Sequence, residues 1–144
     1  MISRRVWRCV YALALIALFP DLGSAGPTEP RVSPGPQLVL IGNPQKGAAV
    51  FQNRCSACHS VQETAPVKIG PPLHGLFGRQ AGTVPGYNYS ADMRASRIVW
   101  NAQTLEAYLA DPHRGIPSAK MPYQGLSSKT ARDDLISFLE QATQ

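Results

Sequence analysis

The sequence predicts a small all-α fold of helices joined by long loops. Three observations predict it. Apolar residues recur at helical spacing in three separate runs, and between residues 60 and 98 no sustained period of either kind occurs. Thirteen prolines and twelve glycines, many for 144 residues, punctuate the stretches between those runs. A chain with 44% hydrophobic and 16% charged residues buries one modest core. A domain of this size with few long elements commonly gains stability from a metal, a disulfide or a bound cofactor.

Residues 1–25 have the pattern of a secretory signal peptide. Arg4, Arg5 and Arg8 give a basic start, Val10 to Phe19 an apolar run, and Gly23, Ser24 and Ala25 the small residues of a cleavage site near Ala25. An uncleaved anchor is the alternative, but this run is half the roughly 20 residues a spanning helix needs. No stable membrane span is therefore expected after cleavage. Cys9 precedes the apolar run rather than ending it, which argues against lipid attachment there. Removal of this segment takes away three of fourteen basic residues and one of nine acids, so the net charge falls from +5 to +3. No basic block interleaved with aromatics remains, and nucleic acid is not expected as a partner.

Residues 26–42 form a Pro-rich N-terminal extension, with Pro27, Pro30, Pro34 and Pro36 around the apolar string Leu38 to Ile41. The domain proper is expected over 43–144. Asn43-Pro44 starts its first helix, because the Asn side chain can accept orphan amides and proline suits the first helical position. That helix is expected from Pro44 to about Arg54, with Gly47 and Phe51 on one face as a gap and a knob. Asn101 caps a second run, striped by Leu105, Tyr108 and Leu109 and ended by Pro112. Ser127 or Ser128 opens the last helix, where Ala131, Leu135, Ile136, Phe138, Leu139 and Ala142 recur at helical spacing. Its apolar face is the natural partner for Gly47 and Phe51.

Chemistry concentrates after the first helix. Cys55-Ser56-Ala57-Cys58 is followed at once by His59, the spacing with which two thiols each add to one vinyl group of a porphyrin while the adjacent imidazole reaches its iron. A disulfide or a thioredoxin-like redox pair is the first alternative, but that motif expects a strand before the cysteines and a helix after them. Zinc is the second. It would need a further ligand pair, and neither His74 nor His113 belongs to one. For the sixth iron position the candidates are Met93, Met121, His74 and His113. Met121 is favoured, because Pro117 and Pro122 restrain the backbone on either side of it.

From Gly42 to Thr143 the chain resembles the class I cytochromes c, especially the mitochondrial cytochrome c and bacterial cytochrome c2 branch. The resemblance rests on Cys55 to His59, Gly70 to Arg79, Pro85 to Ser90, Trp100, Tyr108 to Pro112, Ile116-Pro117, Lys120-Met121 and Asp134 to Leu139. It implies a helical shell around one covalently attached haem c, held by Cys55 and Cys58, with the first and last helices crossing where Gly47 and Phe51 meet Leu135 and Phe138. It implies His59 and Met121 as axial ligands, and a hydrogen bond from the second His59 ring nitrogen to the Pro71 carbonyl. Arg79, Tyr89 and Trp100 would hold the propionates, Tyr108 would lie near the Met121 sulfur, and Tyr123 near the exposed edge. Met93 and Ala119 stand where the family commonly has asparagine and threonine, so two polar groups of the pocket are replaced.

The function implied is that of a soluble periplasmic electron carrier and not an enzyme. Thioether ligation and burial both favour ferrous iron over ferric. A haem enzyme or gas sensor with an open sixth position, and a dedicated haem subunit of one dehydrogenase or oxidase, are the competing functions. Partners would be redox proteins (a respiratory or photosynthetic complex, an oxidase or a dehydrogenase), met by a monomer. Lys46, Lys68, Lys120 and Lys129 are the cations available around the edge.

Overall fold

The computed structural model describes residues 42–144; the expected signal peptide and nearly all of the Pro-rich extension lie outside them. Five helices occur among the described residues: α1 (Pro44–Arg54), α2 (Ala91–Ala95), α3 (Ala102–Ala110), α4 (Pro112–Gly115) and α5 (Lys129–Ala142). The only β pairing among them is an isolated bridge between Gln80 and Val99, so the fold is all-α as expected. None of these helices is long and apolar enough to cross a membrane.

Side chains start the three longer helices where the sequence placed them. The Asn43 side chain accepts from the Lys46 amide at 3.0 Å with Pro44 in the first turn, and Ser128 accepts from the Ala131 amide at 3.2 Å. At α3, Asn101 and Thr104 cap each other's amides reciprocally, both at 2.9 Å, a motif worth about 1 kcal/mol. Two short helices depart from the expectation. Serine 90 caps α2 by accepting from the Met93 amide, and Pro112 begins α4 under an Asp111 cap rather than only ending α3. Five and four residues are too few to display a period.

The crossing of α1 and α5 is the structural centre. At Gly47 the α1 backbone lies against the Asp134 carbonyl and the Phe138 Cβ, and the Phe51 ring sits 5.4 Å from that of Phe138. Leu135, Ile136 and Leu139 on α5 are 1%, 2% and 3% exposed, and each contributes about 2 kcal/mol of burial. From the other helix end, the Asn43 amide donates to the Asp134 carboxylate at 2.6 Å. Arg132 joins α5 to α3 through Glu106, 2.7 Å away. Loop segments complete the shell by backbone bonds, among them Gly70 to Cys58 (2.9 Å), Leu73 to Ser60 (2.7 Å) and Gly78 to Trp100 (2.8 Å).

Candidate functional site

The α1 helix ends at Arg54, and the chain turns tightly through Cys55 to His59, where the amides of Cys58 and His59 both donate to the Cys55 carbonyl at 3.0 and 2.9 Å. This turn presents Cys58 to one cavity and Cys55 to a second, while His59 lines both. The first, an outer cavity whose lining includes the exposed Ile69, also meets Pro71, Tyr89, Tyr108 and Met121. The second, an inner cavity, runs past Arg79, Trp100, Tyr108 and Met121 to the buried Leu135 and Leu139. Mostly apolar walls with a few polar groups are what a large planar cofactor requires. All nine residues singled out in the sequence line one cavity or both; His74 and His113 line neither.

The histidine is held in one chemical state. Its Nδ1 lies 2.8 Å from the Pro71 carbonyl oxygen, which can only accept, so Nδ1 carries the proton. Burial holds the imidazole below its ordinary pKa, against the Pro71 bond and with the help of the Lys68 ammonium. A neutral ring protonated at Nδ1 leaves the Nε2 lone pair available to a metal. Gly70 makes the placement possible. A Cβ there would stand 2.4 Å from His59 Cε1, so the peptide can lie flat against the ring only because the side chain is absent. Lys68, expected as a rim cation, turns back onto this turn and donates to the carbonyls of Ser56 (2.8 Å) and His59 (3.4 Å). Neither role was read from the sequence, where only the Pro71 carbonyl was implied as a partner of His59.

Across the cavities, Met121 projects from the loop between α4 and α5. That loop is fixed at its start by Ile116, 1% exposed, and at its end by Leu126, whose amide donates to the Leu109 carbonyl at 2.8 Å. Gly125 permits the return at φ +96°, where a Cβ would collide with the Ala110 carbonyl. Arg79 donates to the carbonyls of His74 (2.5 Å) and Pro72 (3.2 Å), which fixes the guanidinium at the wall of the inner cavity. The Trp100 and Tyr108 rings meet edge to face at 5.1 Å. Burial first, then Tyr87 and Tyr89, push the Tyr108 phenol up to about 12, so it is a neutral hydroxyl at any physiological pH. Met93 is buried and lines the outer cavity, and Ala119 packs on the core, which leaves those two positions apolar.

The chemistry of this donor set suits a porphyrin: two thiols three residues apart, a neutral imidazole beside them, a thioether on the facing loop, and a guanidinium at the apolar wall. The sequence profile described as Cytochrome c matches residues 44–143. Cytochrome c of Ginkgo biloba is 46% identical over 102 residues, covering 71% of this chain and 90% of the relative. Cytochrome c of Cochliobolus lunatus is 47% identical, covering 71% and 94%, and that of Arabidopsis thaliana 45%, covering 74% and 95%. With the site's geometry and these relatives together, the chain belongs to the class I cytochrome c family, haem-bearing electron carriers with one covalently bound c-type haem.

Proposed function

We propose that this chain is an exported, soluble one-electron carrier of the periplasm, with haem c attached through Cys55 and Cys58 and ligated by His59 and Met121. The observation that carries the reading is that His59 and Met121 both line both cavities, one from the α1 turn and one from the facing loop. When bound, the haem iron supplies the reversible one-electron chemistry. The chain's own residues keep its surroundings the same in both oxidation states. Pro71 fixes the His59 tautomer and ring plane, so the imidazole need not reorient. Arg79 and Trp100 offer donors to carboxylates at the inner cavity and Tyr89 offers its hydroxyl at the outer one, which offsets the cost of burying anions. Tyr108 lines both cavities together with Met121 and presents an un-ionised hydroxyl there, so no phenolate competes with the thioether.

Export is supported by the basic, apolar and small-residue order of residues 1–25, and the family match begins only at residue 44. The proposed partners are redox proteins that meet this chain as a monomer. Spectroscopy of the purified holoprotein tests the site. The ferric form should show the methionine-to-iron charge-transfer band, Met121→Ala should abolish it and lower the reduction potential, and the ferrous parent should not take up carbon monoxide readily. A parent without that band that binds carbon monoxide at once would instead be a gas-binding or catalytic haem protein. Sequencing the amino terminus of secreted material tests cleavage near Ala25.

A further inference from the structure

The loop that carries Met121 is fixed at its start by the buried Ile116 and at its end by the Leu126 amide, but its middle is tied down differently. Between Ala119, whose amide reaches back to Ile116, and Leu126, the backbone bonds are local: the Tyr123 amide donates to the Met121 carbonyl at 2.8 Å. Two longer ties cross from this loop to the segment around α2. Lys120 Nζ donates to the Asn88 carbonyl at 2.8 Å, and the Ser118 amide donates to the Asp92 carboxylate at 3.2 Å. The first runs through a long, exposed side chain with many rotamers. The second grips the loop's own backbone three residues before Met121, from a short side chain on a helix capped by Ser90.

From this arrangement we propose that Asp92 is a positioning residue for Met121: its carboxylate latches the Ser118 amide and holds the thioether loop closed over the outer cavity. The proposal rests on Met121 being the sixth ligand. Asp92 does not line either cavity and acts only through the loop. Its contribution is to the closed population. A solvent-exposed hydrogen bond is worth enough to change a loop-opening equilibrium by roughly three- to tenfold, and little of the global stability depends on it. Because Asp92 is exposed, this local effect is separable from unfolding.

The test compares the ferric holoprotein with Asp92→Ala and Asp92→Asn. Imidazole added from solution binds the iron only when the loop opens, so its binding constant reads the open fraction, and hydrogen exchange of the Ser118 amide reads the latch itself. Asp92→Ala should raise both by roughly three- to tenfold, whereas Asp92→Asn, which keeps an acceptor oxygen, should stay within about twofold of the parent. Imidazole binding and Ser118 exchange unchanged in Asp92→Ala would overturn the proposal. So would an Asn variant that opens as far as the Ala variant, because charge and not the bond would then act. Failure of the ligand assignment looks different: the parent itself would lack the methionine charge-transfer band.

Discussion

Gly47 on α1 and Asp134 on α5 touch backbone to backbone, so closely that a Cβ at residue 47 would stand 2.0 Å from the Asp134 carbonyl oxygen. The obstacle is main chain and cannot rotate away. Gly47→Ala must therefore separate the two helices, and with them the Phe51–Phe138 contact at 5.4 Å. We expect a loss of about 3 kcal/mol in denaturant unfolding of the holoprotein, at the upper end of what an overpacked contact costs. The gain in helix propensity from glycine to alanine is about 1 kcal/mol and does not offset it. An unchanged midpoint would mean that the helices do not meet at this glycine.

A second glycine works on the chemistry rather than on the frame. A Cβ at Gly70 would lie 2.4 Å from His59 Cε1 and 2.8 Å from Nδ1, so Gly70→Ala should push the ring away from the Pro71 carbonyl. The variant should be less stable by about 2 kcal/mol and show an altered reduction potential. Lys68→Met serves as a comparison, because it frees the same turn's carbonyls without touching the ring. Equal potentials for Gly70→Ala and the parent would detach the glycine from the histidine's placement.

These two glycines mark the boundary of what the sequence made legible. Helices α1, α3 and α5 could be read with their caps, since amphipathic spacing and the Asn43, Asn101 and Ser128 signals are local in the chain. The facing of Gly47 toward α5 was legible because a gap and a knob on one helix invite a partner. By contrast, α2 and α4 show no period at their length, and in the sequence Pro112 marks only the end of the α3 run. The haem-type spacing of Cys55, Cys58 and His59 is likewise local. What Gly70, Lys68 and Asp92 do is not local. Each acts on a segment 9 to 26 residues away, through a fold of loops that no periodicity records.

Arg132 should be costly to remove. Its side chain is 11% exposed and meets Glu106 at 2.7 Å, while one guanidinium nitrogen also donates to the carbonyls of Leu126 (2.5 Å) and Ser127 (2.9 Å). Arg132→Gln leaves Glu106 partly buried without its partner and releases the end of the Met121 loop. Glu106 is 31% exposed, so water screens part of the penalty, and we expect about 2 kcal/mol rather than the 3–5 of a fully buried pair. In a double-mutant cycle, Glu106→Gln should recover part of that loss when added to Arg132→Gln. Strict additivity would show that the two side chains do not couple.

Tyr108 sets a pH dependence at the alkaline end. Its phenol is raised from 10.0 to about 12, chiefly by burial, with Tyr87 and Tyr89 adding to the effect. The unfolded chain releases this proton near the ordinary value, while the folded chain keeps it until about 12. Stability from this source is therefore fully present below about pH 10 and falls as pH rises toward 12, because the unfolded state binds fewer protons throughout that window. Tyr108→Phe has no proton to lose. Its unfolding free energy should decline less steeply over the same range than the parent's, with the contributions of Tyr89 and Tyr123 common to both. Ultraviolet titration of the folded proteins gives an independent check, since the parent should show one late-ionising phenol that the variant lacks. Parallel declines in the two proteins, with no late phenol missing, would place the Tyr108 hydroxyl in water instead of against the apolar wall beside Met121.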